Sequence, residues 1–373
     1  MAPLPETILQ FGAGRFLRAF ADYFVHEGNE AGQNVGRIVV VQSTGDARAD
    51  ALNRQQGQYH VIIRGYQDGQ VIDRVEEIRS ISRALHAGKD WNAVLEVARS
   101  PELQTILSNT TEAGFKLDPT DTPDLAPPNS FPAKLLQVLK ARFDAGLPGL
   151  GIIPCELMEG NAGLLRGIVL DLAQSWNYPT EFQTWLTQSC RWLHTLVDRI
   201  VSGTPTEHPL LATDEMVIVA EPFAFFALES SPLDPFVNHP AIRRAADVQP
   251  FFLRKVRILN AAHTALLIKA VPRGFKLVRE AIADPELETF LKQLLFQEIV
   301  PTLEGRVEDG EKFALQTLDR FRNPFLDHKF SDIALHHADK VKIRLMTTQA
   351  EYLAKFGKPA PLLTEVLSNW AVV

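Results

Sequence analysis

Up to about residue 160 the chain switches repeatedly between short, wholly apolar runs and stretches whose apolar residues recur at helical spacing. Thr7-Ile8-Leu9-Gln10 runs into Phe11-Gly12-Ala13-Gly14, after which Phe16, Phe20, Tyr23 and Phe24 mark one face of a helix. Gly36-Arg37 then leads into Ile38-Val39-Val40-Val41. This β-branched run has no polar alternation, so it predicts a strand buried on both faces of a parallel sheet. Val61-Ile62-Ile63, Val71-Ile72, Gln104-Thr105-Ile106-Leu107 and Gly151-Ile152-Ile153-Pro154 read as further strands, and Trp91 to Ala98 reads as a helix. A proline-rich surface loop, Asp118 to Asn129, lies between the last two strands. The remainder is mainly helical in pattern. It is broken at Pro205, at Pro232-Leu233-Asp234-Pro235 and at His239-Pro240, with one strand predicted at Met216 to Ala220.

The opening segment is β-α-β at the length of a dinucleotide-binding unit. In such a unit the first glycine makes the tight turn and the second lets the backbone approach the pyrophosphate. Gly12 and Gly14 hold those places and Arg15 and Phe16 open the helix, but the third position of the fingerprint is Leu17, so an ordinary strand-to-helix turn fits the same residues. The second strand ends in Gln42-Ser43-Thr44-Gly45-Asp46, where a carboxylate normally takes the adenosine ribose. Gln42 or Asp46 can accept from a 2′-hydroxyl, and Arg48 can meet a 2′-phosphate. NAD is the expected cofactor, with NADP left open. Ser108-Asn109-Thr110-Thr111 follows a strand and either lines the cofactor cleft or caps the next helix.

The other concentration of chemistry is Lys255-Val256-Arg257-Ile258-Leu259-Asn260-Ala261-Ala262-His263, inside the otherwise apolar stretch Phe251 to Ala270. On a regular helix Lys255, His263 and Asn260 project at roughly 0°, 80° and 140°, within one half of the surface. An amine whose pKa is lowered by burial can donate or accept a proton, an amide N–H can hold a developing alkoxide, and an imidazole can orient a hydroxyl. A helix with a snorkelling Lys, a capping Asn and a satisfied core His fits the same spacing.

Composition narrows the classes. With 373 residues, 46% hydrophobic and 22% charged, the chain is long enough for two domains. A net charge of −7, without a Lys/Arg stripe interleaved with aromatics, argues against a nucleic-acid surface. No apolar run is long enough to span a bilayer, and the N-terminus enters a strand without a basic flank or cleavage site, so a soluble, unprocessed protein is expected. Cys155 and Cys190 give no disulfide framework and suggest a reducing cytoplasm; the ten histidines form no metal-ligand array, so no metal is expected.

Several of these segments occur together, in the same order, in one family. The chain resembles the polyol-specific long-chain dehydrogenases of the mannitol dehydrogenase type, nearest to the tagaturonate-reducing branch. The resemblance rests on Gln10-Phe11-Gly12, Gln56-Gly57-Gln58-Tyr59, Ile63-Arg64-Gly65, Ser108 to Gly114, Ile152-Ile153-Pro154-Cys155-Glu156-Leu157, Thr195 to Ile200, Lys255 to His263 and Arg320-Phe321-Arg322-Asn323-Pro324-Phe325. It implies a Rossmann-type domain (residues 1–190, with 247–262 packing at the junction), a mainly α-helical domain (191–373) and an active site in the cleft between them. It also implies that Lys255 is the catalytic acid/base, that Asn260 and His263 complete the site, and that Asn161 supplies a second carboxamide. Two amide donors and one ammonium suit the charge that hydride transfer builds on a carbonyl oxygen.

The implied reaction is reduction of a hexuronate by NADH, D-tagaturonate to D-altronate. A fructuronate or a neutral polyol is the alternative substrate, and a catalytically silent dinucleotide sensor is a remote one. A uronate needs a basic partner; Lys340 matches a lysine placed near the site in relatives, with His328, Arg344 and Arg15 as further candidates. A monomer or small homo-oligomer is expected, with a sugar acid or polyol as its only partner. Three places depart from the pattern: Ala162-Gly163 stands where relatives have Gly directly after the asparagine, Glu221-Pro222-Phe223 is closer to the mannitol and fructuronate branches, and the chain ends in the apolar Leu367 to Val373 where relatives continue.

Overall fold

In the computed structural model, which describes residues 3–110, 112–232 and 236–372, most of the wholly apolar runs become strands of one parallel sheet. Numbered along the chain within this sheet, β1 is Glu6–Phe11, β2 Arg37–Gln42, β3 Ile81–His86, β4 Thr105–Ser108, β5 Gly151–Pro154 and β6 Arg191–Trp192. They lie in the order β3-β2-β1-β4-β5-β6, and every neighbouring pair is parallel. This is the strand order of the dinucleotide-binding fold. Its winding reverses between β1 and β4, which leaves a crevice at their carboxyl ends. Ile38 to Val41 are all fully buried although successive side chains point to opposite faces, so both faces of the sheet are covered. Helices Phe131–Asp144 and Asn161–Ser175 provide part of that cover, packing Leu135, Leu139, Leu165 and Val169 into one core with Leu9, Val39, Ile106 and Ile152.

The chain divides into two compact units, the first comprising residues 1–62, 75–220 and 224–248, the second 63–74, 221–223 and 249–373. The main division therefore falls after Val248 rather than at residue 190, and the stretch beyond 190 is not at first helical. Thr195–Asp198, Phe225–Glu229 and Ile242–Ala245 form a three-stranded sheet, while Val201–Gly203 and Ile218–Ala220 join a four-stranded sheet with Tyr59–Gln67 and Gln70–Ile78. The strands after β6 have only three to five residues each, too few for a period of two to stand out against helical spacing. Within the breaks predicted from proline, residues 233–235 lie outside the described residues, as does Thr111.

Unit 2 is helical. Its central helix runs from Gln249 to Ala270, and Ala261 to Ile268 are buried without exception. A helix apolar on every side needs neighbours on every side. Val278–Ile282, Pro285–Gln293, Phe330–Ile333, His337–Val341 and Pro361–Ser368 supply them. This central helix is irregular: Lys255–Asn260 is a π turn, and it packs against two further π turns, Leu294–Ile299 and Lys342–Met346.

Two segments that carry the family resemblance, around Arg64 and Arg320, meet the divergent Glu221-Pro222-Phe223 segment in unit 2 for structural reasons. Glu221 accepts from Arg320 Nε at 3.0 Å and Nη2 at 2.8 Å, and the guanidinium lies over the Phe223 ring, 4.3 Å from its centroid. Asn323 Nδ2 donates to the Arg64 carbonyl at 3.2 Å. Gly65 is required because a Cβ there would come within 2.5 Å of Pro222 Cδ.

Candidate active site

Unit 1 holds a cleft of about 800 Å³ at the carboxyl ends of β1, β2 and β4, where the strand order reverses. The β1 turn is built by its two glycines in different ways. Gly12 has φ +125°, which L side chains rarely adopt, and a Cβ on it would sit 3.0 Å from the Asn109 carbonyl oxygen, so the close approach of β1 and β4 disfavours a side chain there. Gly14 has an ordinary φ of −69°, and nothing lies within 4 Å of where its Cβ would be. The space in front of Gly14 is open, as approach of a pyrophosphate requires.

The other walls come from the ends of β4 and β5. Glu156 is buried and accepts from Ser108 Oγ (3.0 Å), Thr110 N (2.9 Å) and Thr110 Oγ1 (3.0 Å), while Asn109 Nδ2 donates to the Cys155 carbonyl at 2.7 Å. Burial pushes the Glu156 pKa up and these donors pull it back. The Ser-Asn-Thr segment is thus tied to the Pro-Cys-Glu segment, and Asn109 and Thr110 line the cleft rather than capping a long helix. Arg15, Arg18, Arg48, Lys116 and Lys134 also line it, and among the described residues none of its lining is acidic. Five cations in a chain of net charge −7 make this a local site for an anionic ligand.

Gly12, Gly14, Arg15, Phe16, Gln42, Asn109 and Thr110 are all brought together here. Gln42, however, is not free to take a ribose: its Nε2 donates to the Thr44 carbonyl at 2.8 Å and its Oε1 accepts from Ala49 N at 2.7 Å. Asp46 turns its carboxylate to Lys89 and His86 and does not line the cleft. Sequence reasoning missed Asn129, Ser130, Lys134, Gly203 and Thr204, which the fold delivers from distant segments. The one available signal was Lys134, a buried lysine in the apolar helix Phe131–Asp144; burial lowers its pKa.

Asn161, also in unit 1, departs from expectation. It is fully buried, and its Nδ2 donates to the Pro154 carbonyl (3.0 Å), the Glu156 carbonyl (3.1 Å) and Thr195 Oγ1 (2.8 Å), while Oδ1 accepts from Thr195 N (3.2 Å) and Ala162 N (2.8 Å). An amide has two protons, and here both are engaged by the backbone and Thr195. Asn161 fastens the end of β5 to Thr195 and offers no donor to a substrate.

Unit 2 gathers the remaining residues. The π turn changes the geometry expected of Lys255 and Asn260. An α-helix would set them roughly 140° apart, whereas a turn closed by i→i+5 hydrogen bonds brings residues five apart towards one face. Both are half-buried. The Asn260 carbonyl accepts from Thr264 Oγ1 at 3.0 Å, but its carboxamide has no partner among the described residues. Asn260 is therefore the carboxamide available to a ligand, in contrast to Asn161.

His263 is 7% exposed, and its Nδ1 lies 3.0 Å from the Leu259 carbonyl, which can only accept. The proton therefore sits on Nδ1, and Nε2 is a buried acceptor without a partner among the described residues. Burial first, then the charges of His328, Arg320 and Arg344, hold its pKa well below 6.5, so the ring is neutral. The His328 ring lies 4.8 Å away, its pKa also lowered by burial. Arg344 Nη1 donates to Thr264 Oγ1 at 3.1 Å, and burial lowers its pKa to about 10. Lys340 Nζ donates to the Ile333 carbonyl at 2.9 Å, its pKa lowered by burial and by Arg344. Neither cation has a carboxylate partner among the described residues. Lys255, Asn260, His263, His328, Lys340 and Arg344 thus form a donor-rich, cationic cluster around one unpaired imidazole nitrogen.

A parallel sheet in this order, a glycine turn and a cationic crevice at its switch point define a Rossmann-type dehydrogenase. Family comparison makes this specific: residues 6–238 match the mannitol dehydrogenase Rossmann domain and residues 247–371 the mannitol dehydrogenase C-terminal domain. The chain belongs to the mannitol dehydrogenase family and is an oxidoreductase acting on CH–OH groups. It is 39% identical over 370 residues to an altronate oxidoreductase of Halalkalibacterium halodurans (95% of this chain, 72% of that one), and 36% identical over 371 residues to that of Bacillus subtilis (95% and 76%). Among solved structures, a substrate-free D-sorbitol dehydrogenase superposes with a TM-score of 0.84 at 23% identity (98% of this chain, 80% of that one). The Pseudomonas fluorescens mannitol 2-dehydrogenase ternary complex with NAD and D-mannitol superposes with a TM-score of 0.77, also at 23% (100% and 79%). No helix among the described residues is long and apolar enough to cross a membrane.

Proposed function

We propose that this protein is an NAD-dependent hexuronate reductase converting D-tagaturonate and NADH to D-altronate and NAD. The observation that carries the substrate class is the half-buried cations Lys340 and Arg344, which have no carboxylate partner among the described residues. Unneutralised charge in a partly desolvated site is costly, and a substrate carboxylate would remove that cost. The altronate oxidoreductases among its relatives support the same reading, as does NAD in the mannitol 2-dehydrogenase complex.

The unit 1 cleft fits NAD: Gly14 leaves room for the pyrophosphate, Asn109 and Thr110 border it, and Arg15 and Arg18 stand beside it. When bound, the reduced nicotinamide supplies the hydride. In unit 2, Lys255 gives a proton to the oxygen that was the ketone, and the Asn260 amide N–H holds the negative charge that builds on it. His263 Nε2 accepts from a substrate hydroxyl, which restores the partner that this buried nitrogen lacks. Lys340 and Arg344, with His328 beside them, receive the carboxylate. Asn161 acts as a positioning residue. The nearest rival is oxidation of a neutral polyol, suggested by Glu221-Pro222-Phe223, but that segment serves to hold Arg320.

The test is NADH oxidation at neutral pH with tagaturonate, fructuronate and fructose. Selective turnover of tagaturonate is expected. Preference for fructose would discard the carboxylate assignment while leaving the hydride chemistry in place.

A further inference from the structure

We propose that the adenosine-ribose end of the unit 1 cleft accepts a 2′-phosphate, held by Arg48 with the Ser43 and Thr44 hydroxyls, so that NADPH serves as hydride donor alongside NADH. The inference rests on the cofactor reading above and deepens it. A site that rejects the 2′-phosphate places a carboxylate at the end of the second strand, where it accepts from the ribose hydroxyl and repels the phosphate. Among the described residues, none that lines this cleft is acidic. The two side chains nearest in sequence that could act as ribose acceptors are engaged elsewhere, Gln42 with Thr44 O and Ala49 N, and Asp46 with Lys89 and His86. Asp50 is taken by His86 Nε2 at 2.9 Å.

What remains at this end is basic and hydroxylic. Arg48 is exposed, lines the cleft and has no hydrogen bond or ion pair with a described residue. Ser43 and Thr44 are exposed on the same wall. The Gln42 side chain, bridging Thr44 and Ala49, fixes the loop that carries all three residues, and Gly45 at φ +65° makes its turn. Deeper in the cleft, Arg18 is 5% exposed, and its Nε has no partner among the described residues although Nη1 donates to the Met216 carbonyl.

The full chain titrated calorimetrically with 2′,5′-ADP and with 5′-AMP separates the 2′-phosphate from the chemistry. About tenfold tighter binding of 2′,5′-ADP is expected, shrinking as salt is raised, and Arg48→Ala should abolish most of that preference. Equal or tighter binding of 5′-AMP, or a preference untouched by Arg48→Ala, overturns the inference. In turnover, the NADPH to NADH ratio of kcat/KM should lie within about tenfold of one and fall about tenfold in Arg48→Ala. A wild-type ratio below about one in a thousand overturns it too. If 2′,5′-ADP binds as expected but no sugar acid is reduced, the 2′-phosphate site stands and the proposed reaction fails. Binding of neither nucleotide overturns the cofactor reading and this inference together.

Discussion

Arg320 and Glu221 form a two-pronged ion pair whose side chains are only 3% and 2% exposed. Their attraction does not by itself make the fold more stable, because both charges left water to form it. Removing one partner, however, strands the other. Glu221→Ala should cost about 3–5 kcal/mol of unit 2 stability, and replacing both residues with apolar ones of similar volume should cost far less. Urea unfolding of the two variants decides it; equal losses would show that the apolar contacts of Arg320, and not the stranded charge, dominate.

The two asparagines predict opposite outcomes. Asn161→Ala takes its acceptor from the buried Thr195 N–H, while the Pro154 and Glu156 carbonyls still accept from Thr195 Oγ1 and Met158 N, so a loss of about 1–3 kcal/mol should appear as instability. Asn260→Ala should unfold at the wild-type urea concentration and lose kcat instead. Reversal of the two phenotypes would return Asn161 to the reacting oxygen.

Lys255→Ala should lower kcat by about 10²–10⁴ while NADH still binds, as followed by fluorescence titration. A variant that turns over at the wild-type rate removes Lys255 from the mechanism.

Much of this arrangement can be read from the chain, and the parts that cannot share a cause. Ile38 to Val41 and Gly151 to Pro154 declare themselves because strands covered on both faces need no polar position. The Gly12 turn declares itself because its positive φ and the nearby Asn109 carbonyl make a side chain there costly. By contrast, the strands between Thr195 and Ala245 are shorter than their own periodicity can reveal, which moves the division of the chain from 190 to 248. The state of Asn161 and Asn260 is equally invisible, since one carboxamide is occupied and the other has no partner among the described residues for reasons that lie in distant segments. Lys340 and Arg344 were readable as cations, but not as cations lacking a carboxylate.

The glycines of the β1 turn should separate folding from binding. Gly12→Ala forces a Cβ against the Asn109 carbonyl at a φ that side chains avoid, at a cost of about 1–3 kcal/mol. Gly14→Ala meets nothing in the protein, so thermal stability should hold while the Kd for NADH rises. Unchanged NADH affinity in Gly14→Ala would place the pyrophosphate elsewhere.

Stability should respond to pH in opposite directions in the two units. Asp22 in unit 1 is buried and its pKa is raised to about 7 from 3.8, chiefly by burial. The folded state keeps a proton that the unfolded state releases, so stability falls as pH rises from about 4 through 7. His263 in unit 2 has its pKa lowered, so below pH 6.5 the unfolded state binds a proton that the folded state refuses, and stability falls as pH drops. Asp22→Asn should therefore gain on wild type in melting temperature between pH 5 and 8. A constant offset across that range would mean that Asp22 does not titrate on unfolding.

The π turn at Lys255–Asn260 carries one residue more than an α-helical turn would, and its wider winding takes up that residue without changing the phase of the helix on either side. Deleting a single position between Lys255 and Asn260 would restore regular hydrogen bonding and leave Lys255 and His263 at nearly the angle they hold now. A one-residue gap in this window therefore marks a relative with a regular helix and the same angular register, whereas a gap in the α-helical stretch Ala261–Ala270 would turn Lys255 by roughly 100° against everything downstream of it.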